Sequence, residues 1–452
     1  MDQAARHPVR RGMCYDRIMR WILLWIMACA IALTAACGGS GDPPDASAAT
    51  DTVAAAHGNS VPRRGAATNA APAQEFLASA RVPGGDVHFG LLLRGNSGVP
   101  DVFLANGAER IRVRDITVDG SHYTMRLPAF NSTLSLQRNE TGFVGTLTLV
   151  KRGGVEQVMP VRAVPIGTAP AAGPAPTVDF TGRWSAHFVD DNGDSSLAVG
   201  EFVQRDDSLT GTFLTPTGDY RYLAGRVEGS RFHLSCFDGG HAFLFTAAAS
   251  DPDSISGHYW SGTAWHERWV AVRNAHAELP DPNSLTTLHK GTHRFPFSFP
   301  DVDGRIVRDG DDRFRGRVVV ITLAGSWCPN CHDEAAFLAR LYDRLHESGL
   351  EAVGLMYEHY RDFHRAARQV RFFARKYSIP YPLLVAGYSD KKAAAATLPA
   401  LDRIHAFPTI IVVDKKGTVR QIHTGFAGPG TGSHYTQFTR SFTSFIERLL
   451  AE

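Results

Sequence analysis

The sequence predicts a multidomain protein in which an all-β region precedes a C-terminal α/β domain. Residues 77–276 contain short alternating apolar and polar runs separated by glycine, asparagine and aspartate, the pattern of antiparallel strands joined by turns. Residues 293–452 instead alternate unbroken apolar runs with amphipathic helical patterns, which is typical of a sheet with helices packed on its faces. A chain of 452 residues can hold about two to four such domains.

The composition is that of an ordinary globular protein. Hydrophobic residues make up 44% of the chain and charged residues 20%, so sizeable cores can form. The net charge of only +2 argues against a nucleic-acid partner, because such partners require clusters of basic residues. The six cysteines are too few for a disulfide scaffold, and the histidines lack the spacing of metal ligands. We therefore expect no metal, no cofactor and no nucleic acid.

The first 37 residues have the pattern of a lipoprotein export signal. Five arginines precede a 16-residue apolar run from Trp21 to Ala36, and small residues lead directly to Cys37. This arrangement resembles a bacterial lipobox, which implies that Cys37 is lipidated, although Thr34 stands where that motif usually has leucine. The alternatives are a transmembrane anchor or soluble export, but 16 apolar residues are short for a span of about 20.

All three interpretations place the rest of the chain outside the cytoplasm. The lipobox resemblance implies a membrane-anchored lipoprotein on the periplasmic side of a diderm cell envelope, and Gly38 after the cysteine favours the outer membrane. Residues 38–76 are rich in alanine, glycine, proline, serine and aspartate. Because such a segment cannot bury enough apolar surface to fold, we expect a disordered linker there.

Two β-rich modules are expected, over residues 77–165 and 178–276, with a proline- and alanine-rich linker between them. Residues 118–123 and 227–232 share a turn and strand pattern at an offset of 109 residues, which favours two similar antiparallel meanders. Tandem modules, two halves of one barrel or sandwich, and a chance similarity of turn residues all remain open. Cys236 lies within an aromatic strand pattern, where we expect a buried and unreactive thiol.

The chemistry of the chain centres on residues 318–337. An unbroken apolar run from Val318 to Leu323 predicts a strand buried on both faces, and an amphipathic helix follows Cys331. Cys328 and Cys331 form a Cys-x-x-Cys pair between these two elements, which is typical of a dithiol–disulfide redox centre. The free N–H groups and the positive dipole end of the helix would favour the thiolate of Cys328.

The order of elements and three motifs resemble the TlpA/ResA-like thiol–disulfide reductases, which have the thioredoxin fold. The motifs are Trp-Cys-Pro-Asn-Cys at 327–331, Phe-Pro-Thr at 407–409, and Glu334 three residues beyond the second cysteine. The resemblance covers residues 293–452. It implies a thioredoxin-like domain and a thiol–disulfide oxidoreductase with reduction as the favoured direction. It also implies a protein disulfide client and an upstream redox partner in the cell envelope.

The resemblance assigns a role to the two cysteines and to one acid. Cys328 is expected to be the exposed attacking thiolate, and Cys331 resolves the mixed disulfide. Thioredoxin has a buried aspartate six residues before its first cysteine, where this chain has Thr322. Glu334 therefore becomes the candidate that accepts the proton of Cys331. The alternative for Glu334 is a solvent-facing acid that merely suits the first helical turn.

Two further residues complete the expected site. Pro408 corresponds to the cis-proline of the family, which would expose the backbone of Phe407 for β-type pairing with a client. Trp327 would shield one side of the dithiol.

Other functions fit parts of the same sequence. Cys328, Cys331 and His332 also match Cys-x-x-Cys-His, the attachment motif of c-type haem electron-transfer proteins, with His332 as the iron ligand. Peroxidases share the thioredoxin fold, but they usually carry threonine or serine three positions before the cysteine, where this chain has Gly325. The β-rich region can in addition serve as a binding module for a single client.

Overall fold

The computed structural model describes residues 74–95, 98–168 and 173–452. The expected export signal, the lipidation site Cys37 and most of the expected linker lie outside the described residues. The first strand, β1, begins at Gln74, inside the segment that was expected to be linker. No helix among the described residues has the length and apolar character needed to cross a bilayer.

The first β sheet consists of nine antiparallel strands, β1–β9. In chain order they span Gln74–Val82, Gly85–Arg94, Asp101–Asn106, Glu109–Val113, Asp115–Asp119, His122–Leu127, Ser132–Asn139, Gly142–Val150 and Glu156–Pro165. β1 pairs with both β2 and β9, and only Arg114 separates β4 from β5, which pair with β3 and β6 respectively. The meander therefore curls into a barrel-like sheet with an apolar interior.

The second β sheet repeats this arrangement with strands β10–β18. They span Gly182–Asp190, Ser195–Arg205, Ser208–Thr215, Gly218–Asp219, Leu223–Glu228, Arg231–Phe237, Ala242–Asp251, Ser254–Ser261 and Trp265–Arg273. β10 pairs with β18, and β12 pairs with both β11 and β14, so the sheet closes on itself. Its interior is rich in aromatic rings, including Trp184, Phe188, Phe213, Phe245 and Trp269. The predicted all-β region of antiparallel, barrel-like meanders is confirmed.

The similar sequence segments occupy equivalent turns of the two sheets. Residues 118–123 connect β5 to β6, and residues 227–232 connect β14 to β15. Gly120 and Gly229 both adopt a positive φ, of 57° and 59°, which a residue with a side chain rarely adopts. The shared turn pattern therefore serves the same geometric purpose in both meanders.

The C-terminal domain contains the predicted α/β arrangement. Its strands β19–β25 span Ser298–Pro300, Ile306–Arg308, Val318–Ala324, Leu350–Glu358, Leu383–Tyr388, Thr409–Val413 and Val419–Thr424. Its helices α1–α4 span Pro329–Leu345, Phe363–Tyr377, Lys391–Ala396 and Ser433–Ala451. The main sheet has the order β23-β22-β21-β24-β25, with β21 parallel to β22 and antiparallel to β24. Helix α1 starts at the carboxyl end of the central strand β21, whose seven residues are all buried.

One helix is shorter than expected. The sequence pattern favours a small helix over residues 391–401, whereas α3 ends at Ala396. The hydroxyl of Thr397 donates a hydrogen bond to the carbonyl of Ala394 at 2.7 Å, and Pro399 follows two residues later. A proline cannot continue a helix and disfavours helical backbone in the residue before it, so the helix stops there.

Candidate active site

Helix α1 presents the first cysteine at its N-terminus. Cys328 is the N-cap residue with an extended backbone, and its sulfur accepts a hydrogen bond from the N–H of Cys331 at 3.3 Å. Pro329 occupies the start of the helix, where its missing N–H costs nothing. The first N–H groups of a helix have no partner within the helix, and here the capping sulfur accepts from one of them.

The loop that contains Pro408 lies directly against this cysteine. The Phe407–Pro408 peptide bond is cis, and the thiol of Cys328 donates a hydrogen bond to the carbonyl of Phe407 at 3.3 Å. Trp327 forms another wall, because its indole N–H donates to the carbonyl of Tyr357 at 2.8 Å and its ring stacks on His359. The structure therefore brings together the expected residues from 327–331 and 407–408.

Cys331 lies one turn deeper, with no exposed surface. Burial raises the pKa of its thiol well above the ordinary value, and the adjacent sulfur of Cys328 raises it further. Glu334 contributes a smaller effect in the same direction. Cys331 therefore needs a proton acceptor before it can act as a nucleophile.

Glu334 is a buried acid and not a solvent-facing one, with only 1% of its surface exposed. The hydroxyl of Thr322 lies 2.9 Å and 2.7 Å from the two carboxyl oxygens, and no other hydrogen-bond partner is found within the described residues. Burial raises the pKa of Glu334 to about 8, while the Thr322 hydroxyl lowers it. An acid of this pKa can exchange a proton with a thiol near neutral pH.

The expectation that Cys328 is exposed is wrong. Only 3% of its surface is accessible, and the β region packs against the residues that follow it in α1. The side-chain amide of Asn330 donates to the backbone carbonyl and to the carboxylate of Asp219, at 3.2 Å and 3.0 Å. The guanidinium of Arg221 donates to the carbonyl of Pro329 at 3.2 Å. The second β sheet therefore contacts the two residues between the cysteines.

Arg221 also forms ion pairs that join the two β sheets and helix α1. Its guanidinium pairs with Glu109 of the first sheet and with Asp333 in the first turn of α1. The Arg221 side chain is 9% exposed, the Glu109 side chain 9% and the Asp333 side chain 13%, so water screens the network little. Burial raises the pKa of Asp333 to about 7, while Arg221 lowers it.

His332 does not fit the role of a haem ligand. Its Nε2 lies 2.7 Å from the carbonyl oxygen of Ser326 and its Nδ1 lies 2.8 Å from the hydroxyl of Tyr377. The ring is 1% exposed and stacks on Phe130 at a centroid distance of 4.1 Å. Because both nitrogens are engaged and a ring covers one face, His332 leaves no position for an iron porphyrin.

Three charged residues near the dithiol are not predicted by the sequence patterns. Glu358, at the end of the buried strand β22, accepts hydrogen bonds from the N–H and the hydroxyl of Ser326 at 2.9 Å and 2.7 Å. Burial raises the pKa of Glu358 to about 7. Its position after a buried run in a parallel strand is a signal that could have identified it. Asp219 and Arg221 carry no such signal, because they lie in the β region.

Comparisons with known proteins concern this same C-terminal part. Residues 291–422 match the model of the AhpC/TSA family. The thioredoxin-like protein YneN of Bacillus subtilis is 24% identical over 111 residues, which are 25% of this chain and 58% of that protein. The thiol-disulfide oxidoreductase ResA of Geobacillus thermodenitrificans is 25% identical over 140 residues, which are 31% of this chain and 72% of that protein. The chain thus spans little more than half the length of the first of these relatives.

Solved structures resemble the same region. A secreted thiol-disulfide isomerase from Corynebacterium glutamicum shares 19% identity with a TM-score of 0.30, over 38% of this chain and 95% of that one. A thioredoxin-family thiol:disulfide interchange protein from Chlorobium tepidum shares 19% identity with a TM-score of 0.27, over 35% of this chain and 96% of that one. The C-terminal domain has a thioredoxin-like fold, and residues 291–422 are similar to the AhpC/TSA family.

Proposed function

We propose that this chain reduces protein disulfides in the cell envelope through the dithiol of Cys328 and Cys331. The observation that carries the proposal is the position of the Cys328 sulfur at the N-terminus of α1, beside the backbone carbonyl of Phe407. A helix N-terminus stabilises an attacking thiolate, and a nearby backbone carbonyl can pair with an extended client. The names of the ResA relatives, which are called thiol-disulfide oxidoreductases, support the same reaction.

The proposed reaction transfers two electrons between sulfur atoms and needs no cofactor. The Cys328 thiolate attacks one sulfur of the client disulfide, forms a mixed disulfide and releases the other client sulfur as a thiolate that takes up a proton. Glu334 accepts the proton of Cys331, whose thiolate then attacks the Cys328 sulfur and releases the second client sulfur. The client gains two electrons, and the enzyme is left with a Cys328–Cys331 disulfide. An upstream dithiol donor must reduce that disulfide again.

The location in the envelope rests on the N-terminal sequence. Basic residues, an apolar run and small residues before Cys37 support lipidation and anchoring on the periplasmic side, with Gly38 favouring the outer membrane. Labelling cells with a radioactive fatty acid tests this proposal. We expect label on the wild-type chain and none on a Cys37→Ala variant, and a soluble wild-type protein without label would contradict it.

A trapping experiment tests the reaction. In a Cys331→Ser variant the mixed disulfide on Cys328 cannot be resolved, so client proteins should accumulate as adducts that a reducing agent releases. A Cys236→Ser variant is the matched control, because Cys236 is buried in the second sheet. If Cys331→Ser forms no adduct and exchanges disulfides as fast as wild type, the dithiol mechanism is wrong. Turnover of hydrogen peroxide as fast as that of disulfides would instead favour a peroxidase.

A further inference from the structure

The β region contacts the residues around the attacking sulfur from two sides. The second sheet contributes the segment around Asp219 and Arg221, which contacts Asn330, Pro329 and Asp333 at the start of α1. This contact is close, because a Cβ atom added to Gly218 would lie 2.4 Å from the side-chain oxygen of Asn330. The backbone N–H of Gly428 also donates to the carboxylate of Asp219 at 2.6 Å. Asp219 therefore holds both α1 and the loop before α4.

The first sheet covers the other side. Phe130 stacks on His332, which directly follows the second cysteine. The N–H of Gly153 donates to the carbonyl of His359 at 3.2 Å, and His359 is the residue on which Trp327 stacks. The side-chain amide of Gln369 on α2 donates to the carbonyl of Pro128 at 3.1 Å. On the first sheet these contacts come from the segments that connect its strands, at residues 128–130 and 153.

A disulfide can be exchanged only if the attacking sulfur approaches to bonding distance, about 2 Å. A client sulfur in a folded domain is surrounded by its own backbone, which needs space beside Pro329 and Asn330, where the segment around Asp219 lies. A small or extended disulfide has no such bulk. The packing of this segment near Cys328 therefore selects clients by the amount of free space around their disulfides.

We propose that Asp219 and Arg221 are specificity-determining residues. Together they form a latch, the set of contacts that holds the β region against the start of α1, so that small or extended disulfides reach Cys328 and bulky folded ones do not. This inference rests on the proposed reductase function and deepens it. The latch consists of ion pairs and charge-assisted hydrogen bonds. Arg221 pairs with two carboxylates, and the carboxylate of Asp219 accepts hydrogen bonds from both Asn330 and Gly428. A single altered acceptor or donor loosens it without removing apolar core.

Two conservative variants test the latch. In Asp219 one carboxylate oxygen accepts from Asn330 and Gly428 and the other accepts from the N–H of Arg221, whereas Asp219→Asn leaves only one acceptor oxygen for these three donors. Arg221→Lys keeps the positive charge but loses the fork that binds Glu109 and Asp333 together. Asp207→Asn is the matched control, because Asp207 lies in the turn between β11 and β12 of the same sheet and pairs with the exposed Arg226.

The readouts are reaction rates with probes of two sizes on the full chain. One readout is alkylation of Cys328 by iodoacetamide and by a maleimide that carries a polyethylene glycol chain, followed by mass spectrometry of the Cys328 peptide. The other is reduction of oxidised glutathione and of insulin. We expect wild type to favour the small probe in both assays. Asp219→Asn and Arg221→Lys should raise the large-to-small ratio by about tenfold, the effect of losing one charge-assisted hydrogen bond.

The results distinguish a failure of the latch from a failure of the reductase function. Asp207→Asn should keep the wild-type ratio in both assays. Equal ratios in wild type and in both latch variants, with circular dichroism showing folded protein, would overturn the latch. The alkylation assay needs no catalysis, so a size preference there together with no reduction of glutathione would leave the latch standing and count against the reductase function.

Discussion

At the scale of single residues, the site depends on how burial changes acids and thiols. Glu334 and Cys331 both lie in the interior, where the charged form of each is disfavoured. The pKa of Glu334 is raised to about 8, which brings it close to the pH at which a thiol can lose its proton. Thr322 is the one hydrogen-bond partner of Glu334 found in the part of the chain that the structure describes.

We predict that Glu334→Gln slows resolution of the mixed disulfide by about a hundredfold, because a glutamine cannot accept the proton of Cys331. In wild type the resolution rate should rise as the pH passes through about 8, the pKa of Glu334, and the variant should lack this rise. Stopped-flow kinetics on preformed mixed disulfide measures the rate. Glu447→Gln, on the exposed side of α4, should behave as wild type. An unchanged pH profile in Glu334→Gln would show that another group accepts the proton.

The same substitution should change the pH dependence of stability. Glu334 has a pKa of about 8 in the folded chain and an ordinary value of 4.5, so the folded state holds a proton that the unfolded state has lost between these values. Its stabilising effect is complete below pH 4.5 and is lost as the pH rises through 8. As the pH rises from 4.5 to 8, the free energy of unfolding should therefore fall more steeply in wild type than in Glu334→Gln. The two slopes should differ by at most about 1.4 kcal/mol per pH unit. Urea unfolding at several pH values checks this, and parallel slopes would contradict it.

At the scale of elements, strand glycines allow the β meanders to pack closely. A Cβ atom added to Gly145 on β8 would lie 2.0 Å from the carbonyl oxygen of Ser135 on the neighbouring strand. The same addition to Gly257 on β17 would lie 1.9 Å from the carbonyl oxygen of Thr246. β8 and β17 are the second-to-last strands of the two sheets, so the same requirement recurs at the same place in both.

We predict that Gly257→Ala destabilises the protein by about 2 kcal/mol, because the added methyl group would force neighbouring backbone to move. The midpoint of urea unfolding measures the change. Gly167→Ala is the control, since no atom lies within 4 Å of its added Cβ, and it should leave the midpoint nearly unchanged. Equal midpoints for the two variants would show that the strand can shift at no cost.

At the scale of the whole molecule, buried polar contacts join parts that are distant in sequence. Asn106 at the end of β3 donates to the carbonyl of Phe237 and accepts from its N–H, both at 2.9 Å, across a separation of 131 residues. Ser235 and His88 form a second exchange of this kind between the sheets, at 2.9 Å and 3.0 Å. Phe237 and Leu244 of the second sheet also pack into the core of the first.

We predict that Asn106→Ala lowers the free energy of unfolding by about 2 to 4 kcal/mol, because it leaves the N–H and carbonyl of Phe237 buried without partners. Differential scanning calorimetry and urea unfolding measure the loss. The exposed Asn192 makes only a 3.3 Å contact with Asp190, so Asn192→Ala should have little effect. A small loss in both variants would mean that water replaces the Asn106 hydrogen bonds.

The local part of the site could be predicted from the sequence. The buried run of β21, the cysteine pair and the amphipathic helix lie within residues 318–345, and the chemistry of a capping thiol depends on those neighbours alone. The Phe-Pro-Thr motif also predicts the place of Phe407 and Pro408 in the site. The burial of Glu334 was not predictable, because an acid in the first turn of a helix faces solvent or protein depending on what packs there.

Local sequence patterns were enough to predict an α/β domain with a dithiol at a helix start, and an all-β region of turn-rich strands before it. The packing of distant segments leaves Cys328 only 3% exposed and places Asp219 and Arg221 against the first turn of α1. Asn330 and Asp219 are 111 residues apart, and Arg221 and Asp333 are 112 apart. Hydrophobic periodicity reports which face of one element is buried, but it does not report which loop of a distant sheet covers that face.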